Sequence, residues 1–170
     1  EDVEWAAKVA CGLDRLIEQF DLTALAYYYR GLNGNAYERL ASSLTVGSSL
    51  LTGQGVPIAG ELDIKNCLAM LIVDRLEAGG SFAEIHPCDF ENDIVLVGHD
   101  GPHHVGVAEG RPVLRGLSVY HGKRGSGIGV EFQLKHGPVT WVGLSQTYDG
   151  RFKFVVAEGE SIEGAIPPTG

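Results

Sequence analysis

At Gly79-Gly80 the hydrophobic pattern of this chain changes period, and that change limits its fold more than any other feature. Before the pair, apolar residues recur at helical spacing and alternate with short β-type runs. The pattern predicts a helix to about residue 19, a strand over 22–29, a helix over 36–51, a short strand over 56–58 and a helix over 62–76. After the pair come short β runs at 93–97, 113–120, 129–134, 139–146 and 152–158, set apart by turn residues such as Glu109-Gly110, His136-Gly137-Pro138 and Asp149-Gly150. The expected class is therefore α+β: an α/β segment over residues 1–79, then a β-rich domain over 80–170 built as a mostly antiparallel small barrel or sandwich.

The first helix should bury Val3, Ala6, Ala7, Ala10, Leu13, Ile17 and Phe20. The third is apolar on nearly every side, from Leu62 and Ile64 to Leu76, and should be buried throughout. Asn33-Gly34-Asn35 supplies the loop before the second helix and Gly53-Gln54-Gly55 its stop.

A hydrophobic share of 44% with 21% charged residues belongs to an ordinary globular protein. The net charge of -9 repels phosphate backbones, which argues against nucleic acid. No apolar run nears the roughly 20 residues that span a bilayer, and there is no signal-peptide layout at the start, so no membrane role and a cytoplasmic location are expected. Cys11, Cys67 and Cys88 form no Cys-x-x-Cys pair and are expected to be reduced and mostly structural. The chain begins at Glu1 within a helical pattern and stops at Pro167-Pro168-Thr169-Gly170 in a connecting type of segment, so it is expected to be a piece of a longer protein.

Glu61, Glu84 and His99 each fall where one kind of backbone element gives way to another, and together they suit one hard divalent cation. Each also has a plainer explanation. Glu61 is either a ligand or a helix-start carboxylate paired with Lys65. Glu84 is either solvated or aimed into a site, and His99 is either a ligand or a turn residue. His103 and His104 read as loop residues, and Tyr27, Tyr28 and Tyr29 as either core or the lining of a sugar pocket. Gly122-Lys123-Arg124-Gly125-Ser126-Gly127 lacks the order of a phosphate-binding loop and reads as a hairpin loop.

Gly60-Glu61-Leu62-Asp63-Ile64-Lys65, Gly80-Ser81-Phe82-Ala83-Glu84 and Asn92-Asp93-Ile94-Val95-Leu96-Val97-Gly98-His99 resemble, in order and spacing, three sequence blocks of the L-arabinose isomerase and L-fucose isomerase superfamily. The resemblance implies a partial middle domain followed by the β-barrel of the isomerase C-terminal domain. It implies aldose–ketose isomerisation of a sugar through an enediol, manganese or another divalent cation held by Glu61, Glu84 and His99, and the two glutamates as acid and base. It implies a homo-oligomer whose site takes a further histidine from beyond residue 170, so that the isolated chain is expected to be inactive. Two departures leave the sugar open: Leu62 stands where the family commonly has glycine, and His86-Pro87-Cys88-Asp89 does not match the arabinose isomerase sequence. The rival readings are a non-catalytic sugar-binding or regulatory domain and a cupin-like metal oxygenase; the latter expects a differently spaced histidine pair than His103-His104.

Overall fold

The computed structural model describes residues 1–28, 36–117, 119–120, 123–124 and 127–164. It is an α+β arrangement in which helices surround a two-stranded parallel sheet and antiparallel hairpins follow.

Helix α1 (Asp2–Phe20) buries Ala6, Val9, Leu13 and Ile17, spaced three, four and four residues apart. Val3 and Phe20, expected inside, are exposed, as is Ala7, and Val9 takes the inner position instead. The single helix expected over 36–51 is two: α2 (Ala36–Ala41) and α3 (Leu44–Gly53). The break has a local cause. Ser42 and Ser43 both turn their hydroxyls back onto the Arg39 carbonyl, at 3.3 and 2.7 Å, and the Ser43 N–H bonds to Leu40 O three residues back. Serine hydroxyls that compete for helical carbonyls end or bend helices in this way. Helices α1 and α3 cross closely at Gly47, where a Cβ would stand 2.7 Å from the Ala10 Cα.

Strands β1 (Leu25–Ala26) and β2 (Ile58–Ala59) pair in parallel, Leu25 with Ile58 and Ala26 with Ala59. Both are shorter than the sequence pattern suggests, and Tyr29 and the expected Asn33-Gly34-Asn35 loop lie outside the described residues. Alternation sends Leu25 and Ile58 to one face, against Leu13, Ile17 and Leu51, and Ala26 and Ala59 to the other, against Cys67, Met70 and Phe82. The small sheet is thus the middle of three layers, α1 and α3 on one side and α4 on the other.

Helix α4 (Ile64–Arg75) starts two residues later than expected, capped by Asp63, whose carboxylate accepts the Asn66 N–H at 2.9 Å. Nor is it buried throughout. Cys67, Ala69 and Met70 face the core, while Ile64, Leu68, Ile72 and the following Leu76 form an exposed stripe at four-residue spacing. Gly79 is left-handed, with φ of 68°, and a Cβ on Gly80 would stand 2.4 Å from Val73 Cγ2 on α4. Both glycines are needed for the chain to leave the helix this closely.

Strand β3 (Glu84–Asp89) pairs antiparallel with β4 (Ile94–Gly98). Then β5 (Ala108–Gly116) pairs with β8 (Ile128–Leu134), β6 (Val119–Tyr120) with β7 (Lys123–Arg124), and β9 (Gly137–Gln146) with β10 (Phe152–Ser161). The turns at His136 and at Asp149-Gly150 stand where expected. Glu109-Gly110 does not turn the chain; it lies inside β5 at an irregular step in the register. Lys123-Arg124, expected within a hairpin loop over 122–127, instead form strand β7 paired with β6, and residues 121, 122, 125 and 126 lie outside the described ones.

The expected barrel does not close among the described residues: the strands pair two by two. Strand β10 is exposed along nearly its whole length and on both faces, so its hairpin does not wrap a shared interior. Of the cysteines only Cys67 is buried, its thiol donating to Leu25 O at 3.4 Å; Cys11 and Cys88 are exposed, against expectation. Among the described residues no helix is long and apolar enough to cross a membrane.

Candidate functional site

The three singled-out residues arrive from separate elements. Glu61 lies in the corner between β2 and α4, Glu84 opens β3, and His99 follows β4 directly. Pairing of Glu84 with Gly98 across the β3–β4 hairpin sets the second carboxylate one residue from the histidine. The residue before the first, Gly60, faces the His99 ring: a Cβ there would stand in ordinary contact with it, 3.6 Å from its Cε1.

The corner itself is unusual. Glu61 is not the first residue of a helix, as the sequence suggests, and so does not face Lys65 across a helical turn. Glu61 and Leu62 are consecutive left-handed residues, with φ of 58° and 57°, a pair found nowhere else among the described non-glycine residues. Such a conformation costs a side-chain-bearing residue about 1–2 kcal/mol. Backbone bonds hold it in place: Tyr27 N–H to Ala59 O at 3.1 Å, Leu62 N–H to Tyr27 O at 2.7 Å, and Asp63 N–H to Gly60 O at 3.1 Å.

His99 is largely buried, its ring packed on Phe82 with centroids 4.2 Å apart. Its Nδ1 lies 3.3 Å from Pro102 O, which assigns the proton to Nδ1 and leaves the Nε2 lone pair open. Burial pushes His99 below the ordinary imidazole value; the Pro102 carbonyl and then the charges of Asp100, Glu84 and Glu61 pull the other way and do not prevail. A neutral imidazole within reach of both carboxylate fields is the form that ligates metal or accepts a proton.

Beneath His99 lies a polar support that the sequence reading missed. His103 donates from Nε2 to the His99 carbonyl at 2.9 Å, packs edge-on against Phe132, and is pushed down to about 4, first by burial and then by His99. It is a loop residue, as expected, but an inward one. Its N–H bonds to Ser49 Oγ at 3.0 Å, and that hydroxyl donates to Thr45 O. Thr52 repeats the device for β2, accepting the Ile58 N–H at 3.1 Å while donating to Ser48 O. Helix α3 therefore staples two arms of the site with hydroxyls. The signal in the sequence was Ser48-Ser49 and Thr52 on the inner face of an otherwise apolar helix.

Tyr27 adds a phenol to the same neighbourhood. Burial first, then Asp100 and Glu61, raise it well above its ordinary value, and the Ser48 hydroxyl beside it opposes them. Ser48 Oγ is fully buried and completes no hydrogen bond of good geometry. Tyr28, the next residue, is exposed.

By donor chemistry, two carboxylates and an imidazole fit a hard divalent cation. As the side chains stand, they share one electrostatic neighbourhood rather than one coordination sphere. Among the described residues no three His, Cys, Asp or Glu side chains are gathered closely enough to hold an ion. Glu61 is exposed and Glu84 half-buried. Compared with known proteins, the chain matches no family model and no curated protein.

Proposed function

We propose that the chain carries the site of a metal-dependent aldose–ketose isomerase acting on a sugar through an enediol, of the arabinose and fucose isomerase kind. The observation that supports this reading is that the charges of Glu61 and Glu84, carried by two separate elements, both reach the buried His99 of a third.

The chemistry asks for removal of a weakly acidic proton beside a carbonyl and its return to the neighbouring carbon. Glu61 follows β2 and Glu84 opens β3, so the two carboxylates have different surroundings, which suits one to take the proton and the other to give it. A bound divalent cation supplies charge stabilisation to the sugar oxygens as negative charge develops. Phe82 excludes water from one side of His99, and the Pro102 carbonyl holds its tautomer. Three protein donors are fewer than a manganese ion takes, so binding to this chain is expected to be weak and turnover small. Completion by a second copy, in a homo-oligomer, belongs to the same proposal, as does the isomerase form of the β-rich part.

Titration of the chain with manganese, read from loss of the free-ion electron paramagnetic resonance signal, tests it. Saturable binding is expected, weakened at least about tenfold by Glu61→Gln, Glu84→Gln or His99→Gln. Binding that survives all three substitutions would sink the assignment of the site. Absence of binding by the unaltered chain would favour a non-catalytic sugar-binding domain. Incubation with L-arabinose or L-fucose adds a second reading: rapid ketose formation would overturn the claim that the site is incomplete.

A further inference from the structure

We infer that His86 is a specificity-determining residue of the sugar site: its imidazole meets the hydroxyl on C4 of a sugar whose C1 and C2 lie by Glu84. The inference rests on the proposed isomerase reading and names what in this chain selects the sugar.

His86 stands on the same side of the β3–β4 hairpin as Glu84. Glu84 pairs directly with Gly98, so the two share a face, and a Cβ on Gly98 would lie 3.9 Å from His86 Nε2 and 4.0 Å from its Cδ2. The ring thus covers the spot that glycine leaves bare. Gly98 precedes His99, whose ring packs on Phe82, two residues before Glu84. Phe82, Glu84 and His86 therefore follow one another at two-residue spacing, each against the Gly98-His99 corner. Register and ring contact alone place His86 there.

The local sequence holds the ring on that bearing. Between the pairs Ile85–Val97 and Cys88–Val95 the register shifts, so that His86 and Pro87 stand opposite Leu96 alone. An extra residue of this kind bends a strand and re-aims a side chain. Pro87 has no N–H to offer the ladder, and it restricts the residue before it to extended conformations. His86 is exposed, and among the described residues neither of its ring nitrogens has a hydrogen-bond partner. His99, His103 and His104 each have one. A held imidazole with both nitrogens free can donate to one hydroxyl and accept from another.

Successive same-face positions of a strand lie about 6–7 Å apart. With C1 and C2 by the Glu84 carboxylate, the neighbouring C3 hydroxyl falls short of His86 and the C4 hydroxyl reaches it. His86-Pro87-Cys88-Asp89 is also where the chain departs from the arabinose isomerase sequence, which fits a part in choosing the sugar rather than in the shared chemistry.

L-Arabinose and D-xylose differ only in configuration at C4. Titrating each into the 170-residue chain, with magnesium as a diamagnetic divalent cation and the histidine ring signals followed by NMR, tests the assignment. The two sugars are expected to differ at least about fivefold in affinity, and the tighter one to shift the signals of both His86 and His99. His86→Leu should leave the melting temperature unchanged, weaken the tighter sugar about fivefold and bring the two affinities within about twofold of each other. His86→Gln, which keeps a donor and an acceptor, should retain most of the preference. Binding that shifts His99 but not His86 overturns the inference and leaves the isomerase reading standing. So does an unaltered chain that binds both sugars alike, or a His86→Leu chain that keeps the original preference. If L-arabinose, D-xylose and L-fucose all leave every histidine signal unmoved, the sugar reading itself fails and the role of His86 fails with it.

Discussion

The two halves of the molecule bury their apolar residues differently. Up to Phe82, each helix has a sheet or another helix to pack on, and the middle layer, Ile58 and Ala59, is fully enclosed. After Phe82, Pro102, Ala108 and Ile128 are the only buried apolar side chains among the described residues. The later strands are no less apolar in sequence: Phe152, Phe154, Val155 and Val156 would suit a core, yet each is about half exposed or more. A strand buries residues only when a second layer covers its face, and paired hairpins do not supply one. The site sits on the seam, with Glu61 on the layered side, Glu84 and His99 on the hairpin side.

Removing side-chain volume where the layers meet should have the largest effect. Ile58→Ala empties a fully enclosed position among Leu13, Ile17 and Leu51, and is expected to cost about 3–4 kcal/mol in denaturant unfolding. A loss below about 1 kcal/mol would mean that the layers are not close-packed there, and the contrast with the hairpins would fail.

The same contrast explains what was legible in the sequence. Helical period located α1 and α4, and turn dipeptides placed the hairpin turns at His136 and Asp149-Gly150, because these signals depend on local chemistry. The split between α2 and α3 was hidden, since Ser42 and Ser43 end a helix only through where their hydroxyls point. Full burial of α4 and closure of a barrel were overestimated because apolarity says what can be buried, not what arrives to cover it. At the site, Glu61, Glu84 and His99 were legible as candidates from motif order. The left-handed corner was not, since Glu61-Leu62 reads locally as a helix start. His103 was passed over as a loop residue because its value comes from contacts with Ser49, His99 and Phe132, none adjacent in sequence.

His103 joins the two halves, bonded to α3 on one side and packed on β8 on the other, so acid should loosen the seam. Unfolded, its imidazole takes a proton near the ordinary 6.5; folded, it resists to about 4. Between those values the unfolded chain holds more protons. Stability is therefore full above pH 6.5, falls as the pH drops through 6.5, and stops falling on account of this group below 4. The loss amounts to at most about 3 kcal/mol. His99, also lowered by burial, adds in the same direction. Unfolding measured at pH 7 and pH 4.5 should show the drop, and His103→Asn should flatten it. An equal drop in the variant would place the acid sensitivity elsewhere.

The smallest effect is expected on β10, and there a null result is informative. Val156 is 62% exposed, so Val156→Ala in a lone chain should change stability by no more than about 0.5 kcal/mol. The prediction is best made at two protein concentrations, because an exposed apolar strand is also where a second copy would seat. If the melting temperature rises with concentration and Val156→Ala abolishes that rise, the hairpin's apolar faces have a covering layer in solution that the single chain lacks. If the substitution costs 2 kcal/mol or more at every concentration, β10 must be packed within one chain, and the division into a layered half and an unlayered half would have to be given up.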